Sequence, residues 1–221
     1  MEKVIFSWSS GKDSALALYE LRKDKQIEVT ALLTTVTQDY ERVSMHGVRR
    51  ALLLQQAAAL RLPLIEVLIS KQATNEEYEQ KMQETLTAAR VSGVTAVVFG
   101  DIFLEDLRQY REENLARIGI QAIFPLWKRD TRALVLEFMQ AGFKAITTCV
   151  DTHALGEEFA GREINAQFVA DLPPQVDPCG ENGEFHTFVY AGPIFNHPIG
   201  LELGEKVLRD NRFYYCDLVP V

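Results

Sequence analysis

The chain has 221 residues, 47% of them hydrophobic and 24% charged, which is enough for one large globular domain or two small ones. A net charge of −8 argues against extensive nucleic-acid binding, and no apolar run reaches the roughly 18–20 residues of a membrane span. Three scattered cysteines, Cys149, Cys179 and Cys216, make neither a C-x-x-C metal pair nor an even disulfide set, and with no signal-peptide pattern at Met1-Glu2-Lys3 the expected location is the cytoplasm.

Lys3–Ser7 reads as a first strand, with Val4, Ile5 and Phe6 buried, and Lys12–Lys23 as a first helix. Between them lies Ser9-Ser10-Gly11-Lys12-Asp13-Ser14. A strand-to-helix turn of this kind points backbone N–H groups and the positive end of a helix dipole at one place, as an anion such as phosphate requires. Ser9, Ser10 and Ser14 add hydroxyls, Lys12 a cation, and Gly11 room for close backbone approach. Asp13 repels phosphate, so it is expected to orient the loop, cap the helix or hold a metal ion. The Walker A spacing is not met. Taken alone, the run also fits an ordinary strand–helix turn.

Further along, Glu28–Val36 reads as strand two, Gly47–Leu60 as a helix and Leu64–Ile69 as strand three. Thr74-Asn75-Glu76-Glu77 has the form of a capping box before a helix carrying Tyr78, Met82, Leu86 and Ala89. Ala96–Phe99 is a fourth strand leading to Gly100-Asp101, Glu105–Ile118 a charged helix and Gln121–Phe124 a fifth strand. This alternation predicts an α/β fold: a parallel five-stranded sheet with helices on both faces, Rossmann-like, whose ligand lies beyond the carboxyl ends of the strands. Past Trp127 the pattern changes. Asp130 caps a helix, Lys144–Val150 is a strand, Ile164–Leu172 a helix, and strand-like pieces follow at Phe185–Tyr190 and Phe213–Leu218. Residues 1–127 are expected to bind the nucleotide-like ligand, and 128–221 to form a smaller α+β substrate domain.

The second unusual run is Cys179-Gly180-Glu181-Asn182-Gly183-Glu184-Phe185-His186-Thr187. Strand periodicity would put Glu184 and His186 on one face, and two carboxylates, an amide and an imidazole this close could grip a polar substrate. By itself the run fits better a solvated turn entering an edge strand. Arg49–Arg50 and Lys128–Arg129–Arg132 read as solvated charges or phosphate contacts, and Arg108–Glu112 as an i,i+4 surface pair.

The first run resembles the PP-loop, S-G-G-x-D-S, of ATP pyrophosphatases, with Ser10 where that motif has glycine. The two runs together resemble the diphthine–ammonia ligase (diphthamide synthetase) family, along nearly the whole chain. The resemblance takes in Ser9–Ser14, Met45-His46, Gly100, Arg108 with Glu112, Pro125-Leu126-Trp127 with Asp130, Gly161-Arg162 and Gly180–Val189. It implies ATP and Mg²⁺ as cofactors, and an acyl adenylate formed on a substrate carboxylate with release of AMP and pyrophosphate, then amidated by ammonium. It also implies Lys12, Asp13 and Ser14 in catalysis, with Asp13 nearest the metal. Ser9, Ser10, Gly11, His46, Gly100 and Asp101 would join them on the nucleotide, and adenine would lie by Leu33–Val36. Trp127, Glu181, Asn182, Glu184 and His186 would face the acceptor, which is diphthine on elongation factor 2 or another small molecule. Asn182 and His186 stand where diphthine-directed members carry glycine and glutamate, so the acceptor stays open, as does homo-oligomerisation. The runners-up are a tRNA-thiolating PP-loop enzyme, with a cysteine carrying the sulfur, and a nucleotide-binding regulator without turnover.

Overall fold

A computed structural model describes residues 1–44 and 46–221; Met45, part of the family resemblance, lies outside the described residues. The first sheet contains β1 (Glu2–Ser7), β2 (Ile27–Thr37), β4 (Leu64–Ile69), β5 (Ala96–Val98) and β6 (Gln121–Ile123), all parallel, in the order β4-β2-β1-β5-β6. A sixth strand, β3 (Arg42–Val43), pairs antiparallel with Val36–Thr37 at the far end of β2. The expected five-stranded parallel sheet is thus present with one short addition. Strand order reverses on either side of β1, so the turn after β1 sits at the switch point where such sheets bind ligands.

Side-chain alternation explains the two covered faces. Val4 and Phe6 of β1 join one apolar cluster while Ile5 joins another, and Ala96 and Val98 of β5 divide from Val97 in the same way. The first cluster receives α1 (Lys12–Leu21) and α2 (Arg50–Leu60); the second receives Leu86 of α3 (Asn75–Val91) and Leu115 of α4 (Glu105–Arg117). The capping signals act as read: Thr74 Oγ1 accepts the Glu77 N–H at 3.2 Å, and Asp130 Oδ1 accepts the Ala133 N–H at 2.7 Å at the start of α5 (Thr131–Gln140). Helix ends differ from those expected by up to three residues, most at α2. Residues 47–49 are held in a bridge between Arg42 and Arg49, which delays α2 to Arg50, and α1 stops at Leu21.

The remaining chain forms an antiparallel sheet from β7 (Lys144–Asp151), β8 (Phe185–Ala191), β9 (Leu201–Arg209) and β10 (Phe213–Pro220), in the order β8-β7-β10-β9, with the short α6 (Ala166–Asp171) beside it. β9 is absent from the sequence reading. Its charged residues and internal Gly204 mask the strand pattern, as suits an exposed edge, and Asp210 and Asn211, both at positive φ, turn it into β10. One apolar cluster runs through both parts: Trp8 packs edge-on against Phe195, and Tyr19 against Phe143. Among the described residues no helix is long and apolar enough to cross a membrane.

Candidate active site

The turn at Ser9–Ser14 is braced from inside. Ser9 Oγ and Ser14 Oγ lie 2.7 Å apart, and Ser9 Oγ also accepts the Gly11 N–H at 3.3 Å. Gly11 is the N-cap of α1 without a side-chain cap, so the helix presents its amino end to the loop. Ser10 is at φ +70, a left-handed conformation that costs a non-glycine residue roughly 1–2 kcal/mol. It departs from the ordinary φ that would tolerate a side chain easily. Two hydrogen bonds onto its carbonyl hold it there, from Val189 N–H at 3.0 Å and from Gln56 Nε2 at 3.1 Å.

The edge of β8 lies directly on this loop. Thr187 Oγ1 accepts the Lys12 N–H at 3.0 Å, and a Cβ on Gly11 would come within 3.2 Å of the Thr187 carbonyl. The Lys12 ammonium is buried; it donates to both Asp13 oxygens at 2.7 and 2.8 Å and to the Cys179 carbonyl, and sits 5.5 Å from the Phe185 ring centre. Burial opposes its charge, but the Asp13 carboxylate beside it holds its pKa above the ordinary lysine value. The two sequence runs therefore meet in space.

A cavity of about 480 Å³ opens beside the loop at the carboxyl ends of the strands. Ser7–Ser9, Leu33–Thr35 and His46 line its strand-end side, and residues of α3 and α4, among them Tyr78, Tyr110 and Arg111, line the rest. The His46 and His186 rings lie 4.5 Å apart. Burial lowers His46 well below the ordinary imidazole value, and burial followed by the Lys12 charge takes His186 down to about 4. Both rings are neutral at pH 7.

Other expected site residues have partners of their own. Gly100 leaves room for the start of α1, since a Cβ there would sit 2.9 Å from Ser14 N and 3.0 Å from Asp13 C. Asp101 neither caps a helix nor lines the cavity; it pairs with Arg111 at 2.9 Å, and α4 begins after Leu104. Trp127 stacks on the Arg108 guanidinium, 4.6 Å from its ring centre, with Phe124 on the same guanidinium at 5.0 Å, while Arg108 keeps its ion pair with Glu112. Glu181 Oε1 accepts the Ile102 N–H at 2.7 Å and the Phe103 N–H at 3.3 Å. Glu184, 7% exposed, accepts from Asp177 N, Asn182 N and Asn182 Nδ2, each at 3.0 Å. Glu184 holds the 177–184 turn in shape with the help of Asn182, and Glu181 ties that turn to the backbone after β5. The basic doublets are ion-paired: Arg49 with Asp217, Arg50 with Glu66, Lys128 with Glu105 and Arg129 with Glu137. Gln56 and Thr187 were not singled out in the sequence. Thr187 lies inside the run Cys179–Thr187, whereas nothing in the sequence around Gln56 marks it out.

Fold and site together define a doubly wound α/β domain with a serine-rich first turn that opens a helix, closed over by an antiparallel sheet. The N-terminal domain model of diphthamide synthase matches residues 2–122, and its C-terminal domain model matches residues 130–218. The chain belongs to the diphthamide synthase family. It is 30% identical over 146 residues to a diphthine–ammonia ligase of Danio rerio, covering 62% of this chain and 54% of that protein. It is 26% identical over 225 residues to one of Mus musculus, covering 91% and 83%. The zebrafish match thus spans little more than half of its relative's length. Among solved structures, a predicted subunit of tRNA methyltransferase from Methanocaldococcus jannaschii is similar at TM-score 0.45 and 16% identity, over 65% of this chain and 77% of that one.

Proposed function

We propose that this protein is an ATP-dependent amidoligase of the diphthine–ammonia ligase type. It adenylates a substrate carboxylate, releases AMP and pyrophosphate, and amidates the acyl group with ammonium. One observation carries the reading: a serine-rich turn with a buried, charged lysine lies between the strand-end cavity and the edge of β8. In this reading residues 1–127 hold the nucleotide, its adenine beside Leu33–Thr35 and its phosphates on Ser9–Ser14. Residues 128–221 present the acceptor, diphthine or another carboxylate. Lys12 stabilises charge building on the phosphates, which fixed cations do best where little reorganisation is needed. His46 and His186 act as neutral hydrogen-bonding surfaces, and Glu181, Asn182 and Glu184 act through the turn they shape.

Mg²⁺ fits this site only in company with the nucleotide. Among the described residues no group of three or more histidine, cysteine or acidic side chains is placed to hold a metal, and both Asp13 oxygens already receive Lys12. Phosphate oxygens would supply most ligands, with Asp13 as the near carboxylate; the ion would neutralise phosphate charge. A thiolation chemistry finds no ready thiolate. Burial pushes the Cys149 thiol up to about 12 and the buried Cys179 thiol higher still.

Incubation with ATP, Mg²⁺, ammonium and candidate carboxylates is expected to yield AMP and pyrophosphate in step with amide. Lys12→Ala should cut AMP formation by about 100-fold or more. ADP and phosphate as products, or ATP bound without turnover under every acceptor, would contradict the proposal.

A further inference from the structure

We propose that Gln56 is a positioning residue that ties nucleotide occupancy of the Ser9–Ser14 loop to the geometry of β8. The inference rests on the nucleotide reading of that loop given above. Gln56 lies on α2 with no exposed surface, among Leu52, Leu53, Ala57 and Leu60. Its amide meets three residues on two segments, the turn after β1 and strand β8. Oε1 accepts the Trp8 indole N–H at 2.8 Å; Nε2 donates to the Ser10 carbonyl at 3.1 Å and to the Val189 carbonyl at 2.6 Å. The indole can only donate and the carbonyls can only accept, so the amide has one orientation, and a primary amide supplies both functions at once.

Val189 N–H and Gln56 Nε2 converge on the carbonyl of Ser10, the residue at positive φ. Two positions earlier, Thr187 receives the N–H of Lys12. Any movement of the Ser10–Lys12 backbone on taking up phosphate is therefore passed to β8 through fixed hydrogen bonds, and with it to His186 and Thr187. A buried amide whose partners lie 46, 48 and 133 residues away in sequence does not stabilise α2 locally. Its bonds join the end of β1, the loop and the C-terminal sheet.

Hydrogen exchange of the full chain, with and without Mg²⁺ and α,β-methylene-ATP, separates this from the underlying reading. In the unaltered protein the nucleotide should slow exchange in Ser9–Ser14 and, by about tenfold or more, in Phe185–Ala191. In Gln56→Leu, which lacks the Nε2 donor, loop protection should remain while the β8 response is reduced about threefold or more, the remainder passing through the direct Val189–Ser10 and Lys12–Thr187 bonds. Should Gln56→Leu not fold, Gln56→Asn, one methylene short of its partners, carries the same expectation. No protection of Ser9–Ser14 in the unaltered protein overturns the nucleotide reading. Loop protection without a β8 response there, or a β8 response kept in full in the variants, overturns the coupling alone.

Discussion

Gly100 shows how one missing methyl group sets the site. Its φ is ordinary, yet the backbone after β5 passes so close to the first turn of α1 that a Cβ would push on Ser14 N and Asp13 C. Gly100→Ala should cost about 1–3 kcal/mol, read as a lowered unfolding midpoint, and should weaken ATP binding by displacing the loop. Glu181 carries a pH signature. Burial pushes its carboxyl from the ordinary 4.5 up to about 7, against the pull of the Ile102 and Phe103 N–H groups. Between those values the folded chain keeps a proton that the unfolded chain has released, so this residue's contribution to stability declines as pH rises across the window and levels off above it. Glu181→Gln should remove that slope, seen by comparing denaturant midpoints of the two proteins from about pH 5 to about pH 8. The serine-rich loop at Ser9–Ser14 and the helix it opens were legible in the sequence, because loop and helix start are neighbours along the chain. The partners of Glu181 were not, since they lie 78 and 79 residues away.

At the scale of elements, the two halves are fastened where β10 meets β3 and the start of α2. Asp217 accepts from Arg42 at 2.8 Å and from Arg49 at 2.5 and 3.1 Å. Burial would raise its carboxyl, but the two guanidinium groups win and hold it below the ordinary aspartate value. The stabilisation is therefore present above that ordinary value and fades as pH falls toward the lowered one. Asp217→Asn should cost about 1.5–3 kcal/mol in unfolding free energy and speed amide exchange at Arg42–Val43 and Gly47–Arg49. Helix positions were the most readable elements, since Thr74 and Asp130 announce themselves by local capping chemistry. β3 and β9 were not readable. β3 is two residues long, and the alternation of β9 is hidden by charges that an edge strand tolerates.

For the whole molecule, the continuous apolar cluster across both sheets ties their fates together. Phe138, Phe143, Phe188 and Leu218 belong to the same cluster as Val4, Phe6 and Leu52. Thermal unfolding should accordingly be a single transition with equal calorimetric and van't Hoff enthalpies; two resolved transitions would show the halves to be energetically separate.

The sequence by itself determined the alternating strands and helices, the serine-rich turn after β1 and the late acidic-histidine run, because each is written in residues within a few positions of one another. Tertiary structure alone decided that Glu181 and Glu184 would hold backbone N–H groups, that Gly100 would make way for α1, and that a polar residue of α2 would sit without solvent between loop and sheet. The physical reason is burial. A carboxylate or amide removed from water must find hydrogen-bond partners, and which partners are within reach depends on how distant segments pack.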